Sequence, residues 1–244
     1  MLYRGYAMRH HGAIFDVDGV LVDSPHEQAW RAALERLMEG PWRELAPATG
    51  YSPGSFTTGV YLAQLAGKPR MAGAAAALAY FGVPDPDGAR ARAYAEAKQA
   101  MIVELIARRA FTVFEDGRRL LLRLKQAGVR LAAASSSKNA NDFLVRIPVE
   151  PFGTMLDLFD ANVCGRDFAH GKPHPEIFLT AAAELGLPPA ACVVFEDAVS
   201  GVQAARAGGM DCVGVARLDD AEALRAAGAT TVVTSLDELD LQLL

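Results

Sequence analysis

The chain has 244 residues, 51% of them hydrophobic and 22% charged, with a formal net charge of −5. That length and apolar content suffice for one large α/β domain with a smaller companion. The mildly acidic balance gives no electrostatic reason to seek nucleic acid or an anionic membrane, and no apolar run reaches the length of a membrane span, so neither is expected as a partner.

The segment Met1–His11 lacks the apolar stretch of a secretory signal and reads as a start-site extension or a disordered lead-in. A first apolar run, Ala13 to Val17, has strand character. Residues 25–110 then show almost no strand signal. Helical patterns cover Pro25 to Glu39, Met71 to Phe81 (rich in alanine) and Ala89 to Arg109, and Pro41, Pro47, Pro53, Pro84 and Pro86 punctuate the loops. Further apolar runs follow at Val129 to Ala134, Val193 to Phe195, Cys212 to Val215 and Thr231 to Val233. Helical periodicity covers Gly117 to Ala127, Asn139 to Val145, Glu176 to Leu185 and Val199 to Ala207, with Gly128, Gly186 and Gly208 where helix C-caps belong. Strands alternating with helices imply a parallel sheet covered on both faces. The expected fold is therefore α/β, a Rossmann-like doubly wound core made of residues 1–24 and 111–244, with a helical domain, residues 25–110, inserted after the first strand. Cys164, Cys192 and Cys212 are odd in number and lack a Cys-x-x-Cys spacing, so buried thiols in a reducing cytoplasm are expected.

The chemistry gathers where strands end. Asp16 and Asp18 flank one residue at the end of the first run, and Gly19 permits an abrupt turn. Ligands of open parallel sheets bind at the carboxyl ends of strands. Two carboxylates so close need a cation or a proton between them, one can attack phosphorus, and the other can serve as acid and base. The same four residues also suit turn aspartates or a calcium loop. Leu131 to Asn139 is an apolar strand ending in hydroxyls, at Ser135, Ser136 and Ser137, which suit either a phosphate at a helix start or a plain serine cap. Lys172 precedes a helix that Pro173 or Pro175 can initiate, as a point charge for phosphate or as a surface lysine in a proline-rich turn. His174 reads as an exposed turn residue rather than a ligand. Val193 to Phe195 leads into Glu196 and Asp197, oxygen donors of the kind magnesium prefers, or caps of the next helix.

Taken together, the segment Phe-Asp-Val-Asp-Gly-Val-Leu-Val-Asp-Ser (residues 15–24), the hydroxyl-ended strand, Gly171-Lys-Pro-His-Pro-Glu-Ile-Phe178 and Val193-Val-Phe-Glu-Asp197 resemble, in order, the four motifs of the haloacid dehalogenase-like superfamily. The resemblance covers nearly the whole chain from Gly12 onward. It implies Asp16 as nucleophile, Asp18 as general acid and base, Ser135 as phosphate ligand, Lys172 as the stabilising cation, and Mg2+ held by Asp16, Asp18, Glu196 and Asp197. True dehalogenases of the superfamily lack the second aspartate, so Asp18 points away from carbon–halogen chemistry.

Within the superfamily the specific resemblance is to β-phosphoglucomutase-like proteins with an α-helical cap. Ser135 to Asn139 is similar to their Ser-x-Ser-Lys-Asn, which assigns Ser136, Lys138 and Asn139 to the substrate. Gly67-Lys-Pro-Arg70 is similar to the segment whose arginine grips a distal phosphate, and Lys98 falls where a cap lysine lies near the sugar; read without the resemblance, Arg70 is a surface charge ahead of a helix and Lys98 part of a solvated helix face. His26 matches a hinge histidine, although the stretch from Asp23 to His26 is two residues shorter than in the mutases; Ser24 stands where they have a hinge threonine or serine. The implied function is Mg2+-dependent phosphoryl transfer from a small phosphorylated metabolite, a sugar phosphate, through an aspartyl phosphate on Asp16. The acceptor is water in a phosphatase and a sugar hydroxyl in a mutase. A non-catalytic sugar-phosphate sensor is the alternative of another class. A cytoplasmic monomer or weak homodimer is expected.

Overall fold

Short runs of buried aliphatic and aromatic residues suit strands covered on both faces. The computed structural model describes residues 9–65 and 68–241, and there these runs form a six-stranded sheet. Its strands are β1 (Gly12–Phe15), β2 (Arg130–Ala133), β3 (Ala161–Asn162), β4 (Cys192–Glu196), β5 (Asp211–Val215) and β6 (Thr231–Val233). They lie in the order β6-β5-β4-β1-β2-β3, and every pairing is parallel. The helices among the described residues are α1 (His26–Glu39), α2 (Thr58–Gln64), α3 (Arg70–Tyr80), α4 (Ala89–Ala107), α5 (Glu115–Gln126), α6 (Ala140–Leu144), α7 (Glu176–Glu184), α8 (Val199–Ala207) and α9 (Ala221–Ala226).

The chain divides into two compact units, Met1–Ser24 with Thr112–Leu244, and Pro25–Phe111. In the first unit alternate residues of the central strands serve opposite faces of the sheet. Ile14, Ala132, Val194 and Cys212 pack with Ile177, Phe178 and Ala181 of α7 and with Val202, Ala204 and Ala205 of α8. Phe15 and Phe195, opposite each other in register, stack with ring centroids 4.4 Å apart. Both are fully buried, and each such side chain contributes about 1.5–3 kcal/mol. The chain leaves this unit and returns to it through an antiparallel ribbon that pairs Val22–Asp23 with Thr112–Val113. The fold is the expected α/β, Rossmann-like core.

The second unit has its own core. Trp30, Ala33, Leu34 and Met38 of α1 pack with Ala74, Ala77 and Leu78 of α3 and Tyr94 of α4. Small residues on α3 let neighbours approach closely. The buried Tyr94 hydroxyl is satisfied by the Trp30 carbonyl at 2.9 Å. Among the described residues no helix is long and apolar enough to cross a membrane.

Local differences from the sequence reading have physical reasons. β3, only two residues long, preceded by Asp160 and ending in Asn162, carries too little apolar signal to be read, and α2 and α9 span only seven and six residues. After α8 the left-handed position falls on Gly209 (φ 73°), not on Gly208, whose φ is −80°. The three thiols are free and buried. Of the N-terminal segment, residues 1–8 lie outside the described residues; His10 is buried and hydrogen-bonded to Asp211 at 3.1 Å.

Candidate active site

Parallel register decides which side chains meet. Phe15 is level with Phe195 on β4 and with Ala133 on β2. The ladder runs one step further on both sides, with Asp16 N donating to the Phe195 carbonyl at 3.0 Å and Ala134 N to the Phe15 carbonyl at 2.8 Å. Asp16 and Glu196 therefore leave the sheet side by side, with Ser135 on the other flank of β1. All three are buried, at 6%, 1% and 2% exposure.

Lys172 joins them from the loop before α7. Its ammonium donates to Asp16 Oδ1 at 2.6 Å and to Glu196 Oε1, and it lies 4.9 Å from the centre of the Phe178 ring. Burial opposes its charge, but Asp16 and Glu196 outweigh burial and hold it protonated well above the ordinary lysine range. Glu196 is also fixed from the other side, because its Oε2 accepts from Ala198 N at 2.8 Å. Gly201 makes room for it: a Cβ there would lie 1.8 Å from Glu196 Oε1.

Asp197 turns towards the strand-end turn after β1. Gly19 has a φ of 81°, and a Cβ on it would fall 1.9 Å from Asp197 Oδ2. The glycine thus supplies both the left-handed turn and the close approach. The turn is held by Gly19 N to the Val22 carbonyl at 2.8 Å, and Asp18 bridges to Val22. Arg217, after β5, braces it from outside. Its guanidinium donates to the carbonyls of Gly19 and Val20, each at 3.3 Å, and makes a bidentate pair with Asp116 at 2.8 and 3.0 Å.

One lysine does not balance these carboxylates. Burial, then Glu196 and Asp18, push the Asp16 carboxyl up to about 7 against the pull of Lys172. Burial, then Glu196 and Asp16, raise Asp197 well above the carboxylate range. Clustered oxygen donors whose charge burial disfavours are what a hard divalent cation would satisfy. Asp16, Asp18 and Asp197 are the groups suited to hold it. Glu196, also expected at the cation, accepts from Lys172 through Oε1 and from Ala198 N through Oε2.

The remaining residues singled out in the sequence fall in two places. In the Ser135–Asn139 segment, Ser135 Oγ accepts from Ser137 N at 3.2 Å and Ser137 Oγ from Asn139 N at 3.3 Å. Helix α6 starts only at Ala140, so Ser135 is not its cap, and those two amides are engaged within the loop. Ser136 is exposed and Asn139 buried. Lys138 is turned to the Gly165 carbonyl (2.8 Å) and Asp167 (2.5 Å), in an exposed pair. In the helical unit, Arg70 donates to Gln99 at 2.7 Å, while Gly67 of the same segment lies outside the described residues. Lys98 is buried rather than a solvated face residue. Its ammonium is 3.3 Å from His26 Nδ1 and 5.4 Å from the Trp30 ring centre. Arg217 and Gly201 escaped the sequence reading. Neither has a local signal, because each acts through a contact with a distant segment.

Residues 10–209 match the family model described as haloacid dehalogenase-like hydrolase. The chain is 35% identical to a β-phosphoglucomutase of Mycobacterium bovis, over 96% of this chain and 93% of that protein. It is 31% identical to a fructose-1-phosphate phosphatase of Escherichia coli, over 85% and 97%. Among solved structures, an archaeal β-phosphoglucomutase from Pyrococcus superposes with a TM-score of 0.73 at 31% identity, covering 94% of each chain. The four strand-end motifs and these likenesses agree: this chain belongs to the haloacid dehalogenase-like hydrolase family, as an enzyme of its phosphatase and phosphomutase kind.

Proposed function

We propose that this enzyme transfers the phosphoryl group of a small sugar phosphate to Asp16 and then to water, with Mg2+ as its cofactor. The observation that carries the reading is Asp16 itself, buried at a strand end and hydrogen-bonded to a buried lysine at 2.6 Å. Lys172 neutralises the incoming phosphate and orients the attacking oxygen. An oxygen of Asp16 bonds to phosphorus in line as the ester oxygen leaves, and Asp18 supplies the proton that the leaving oxygen takes. In the second half, Asp18 accepts a proton from water as water attacks the aspartyl phosphate and frees Asp16. Ser135 is the ligand for a phosphate oxygen, Glu196 positions Lys172, and Asp16, Asp18 and Asp197 hold the cation. When bound, Mg2+ offsets the charge of carboxylates and phosphate and draws electron density from phosphorus.

The helical unit is the proposed selector of substrate and acceptor, through Arg70, Lys98 and His26, as a cap. The buried position of Lys98 beside His26 favours a built polar site over a loose surface charge. The curated relatives include both mutases and phosphatases, so a sugar hydroxyl as final acceptor is the second reading. A screen of phosphorylated sugars with Mg2+ tests both, following phosphate release and, in parallel, isomerisation of β-glucose 1-phosphate. Phosphate release that disappears in Asp16→Asn supports the hydrolase. Isomerisation without phosphate release replaces it with the mutase. Equal turnover by Asp16→Asn overturns both.

A further inference from the structure

A second group of ligating side chains lies apart from the carboxylates just described. Among the described residues, His170, His174 and Glu176 each offer a donor atom, and these atoms lie within 4.8 Å of one another. The arrangement is organised by the main chain. The Glu176 carboxylate, at the first turn of α7, accepts from the amides of Ala169 at 3.3 Å and His170 at 3.0 Å. Those bonds curl the loop back, so that Glu176 Oε2 is 3.4 Å from His170 Nδ1 and 4.0 Å from His174 Nδ1. The Glu176 amide in turn donates to His174 Nδ1 at 3.3 Å. The two imidazoles face each other with centroids 4.4 Å apart and planes 32° from parallel. Nothing in the phosphoryl-transfer chemistry uses this group.

We propose that His170, His174 and Glu176 form a site for a divalent transition-metal ion of the zinc type. Two imidazoles and a carboxylate are a borderline donor set, which favours zinc, nickel or copper over the all-oxygen preference of magnesium. A tetrahedral ion with bonds of about 2.1 Å needs donors roughly 3.4 Å apart. Both histidines are exposed, so rotamer adjustments of about an ångström close the gap without moving a packed residue. Three protein ligands leave a fourth position for water or an exogenous group. The thiols, the stronger zinc ligands of the chain, are all buried and do not compete. The ligands stand two residues before, and two and four residues after, Lys172, so a bound ion ties together the two ends of the loop that presents this ammonium.

The test uses the untagged full chain in excess Mg2+, added to fill the carboxylate cluster that the proposed function assigns to it. Zn2+ binding is measured by equilibrium dialysis, and Co2+ binding by the rise in visible absorption that nitrogen ligation gives. One ion per chain is expected. Affinity should fall in His170→Asn and in His174→Asn by no less than the roughly 10–100-fold that loss of an outer-shell partner costs, and vanish in the double variant. Glu176→Gln serves as an independent third variant, and circular dichroism reports folding for each. The proposal is overturned if no ion binds, if the double variant binds as the parent does, or if Asp197→Asn, not the histidine variants, removes the ion.

Discussion

The Lys172 ammonium donates to Asp16 Oδ1 across 2.6 Å, although the two residues stand 156 positions apart in the chain. Both side chains are about nine-tenths buried, so this contact works in a low dielectric, where a charge is strong when paired and costly when alone. Lys172→Ala removes the cation that a phosphate would meet and leaves Asp16 beside Glu196. The expected loss in kcat/KM is about 10²–10³-fold, the range seen when one preorganised donor to a transition state is removed. Stability falls by less than the 3–5 kcal/mol typical of a broken buried pair, because Asp16 takes up a proton instead. Steady-state kinetics with the best sugar phosphate, alongside thermal denaturation, check both parts.

Cation binding should release protons. Burial, then Glu196 and Asp18, raise the Asp16 carboxyl to about 7, and Asp197 is raised with it. A divalent cation favours the charged forms. Below about pH 7 its binding expels protons, and its affinity climbs as pH rises, levelling off once the carboxyls are ionised without it. Calorimetry of Mg2+ binding at about pH 6 and pH 8, in buffers of different ionisation enthalpy, reads the proton number directly. Chelation should abolish turnover at either pH, and proton release that is the same at both would contradict this account.

Arg217 and Asp116 should shape the acid limb of stability. Burial pushes the Asp116 carboxyl up, but the hydrogen bonds from Arg217 and the Leu236 amide prevail and hold it at about 2. A carboxyl depressed below its unfolded value stabilises the fold above the unfolded pKa, and that stability is lost as pH falls through the folded one. The contribution is therefore complete above about pH 4 and lost towards about pH 2. Asp116→Asn should lower the midpoint of thermal unfolding near neutrality, with the gap to the parent narrowing below about pH 4. Arg217→Leu also removes the donors to Gly19 and Val20. It should cut kcat more than it raises KM, since the turn beside Asp18 then drifts from its place. Denaturation across acid pH and the kcat-to-KM split separate the two effects.

What was legible in the sequence follows from what acts locally. Alternating apolar runs and helical periods gave the α/β core, because each strand carries its own hydrophobic signal. Asp16, Ser135, Lys172 and Glu196 each stand just beyond or before a periodic segment, and parallel register then gathers three of them at neighbouring strand ends. Contacts between distant segments left no trace. Lys98 on a charged, alanine-rich helix resembles a solvated residue, yet it packs by Trp30 from another helix. Arg217 sits in an unremarked Ala-Arg-Leu stretch and gains meaning only from Asp116, 101 positions away. Lys138 shows the reverse: a residue marked by motif whose ammonium is engaged with Asp167 on the surface.

Gly201 provides the sharpest test of how the lysine is held. It lies in the first turn of α8, where alanine is the better helix former by about 1 kcal/mol. On helix propensity alone Gly201→Ala should stabilise the protein. The added methyl, however, would overlap the Glu196 carboxylate, at 1.8 Å from Oε1 and 2.5 Å from Oε2. That carboxylate is the end of a flexible side chain, so it can swing aside at modest steric cost. In doing so it gives up both Lys172 and the Ala198 amide. The expected result is a fold that melts close to the parent, with gains and losses nearly offsetting, and a kcat/KM reduced by about tenfold or more as Lys172 loses its second anchor. A double variant with Glu196→Ala separates the causes: once the carboxylate is gone, adding the methyl at residue 201 should cost no further activity. If Gly201→Ala lowers activity equally in both backgrounds, the glycine serves the helix and not the lysine.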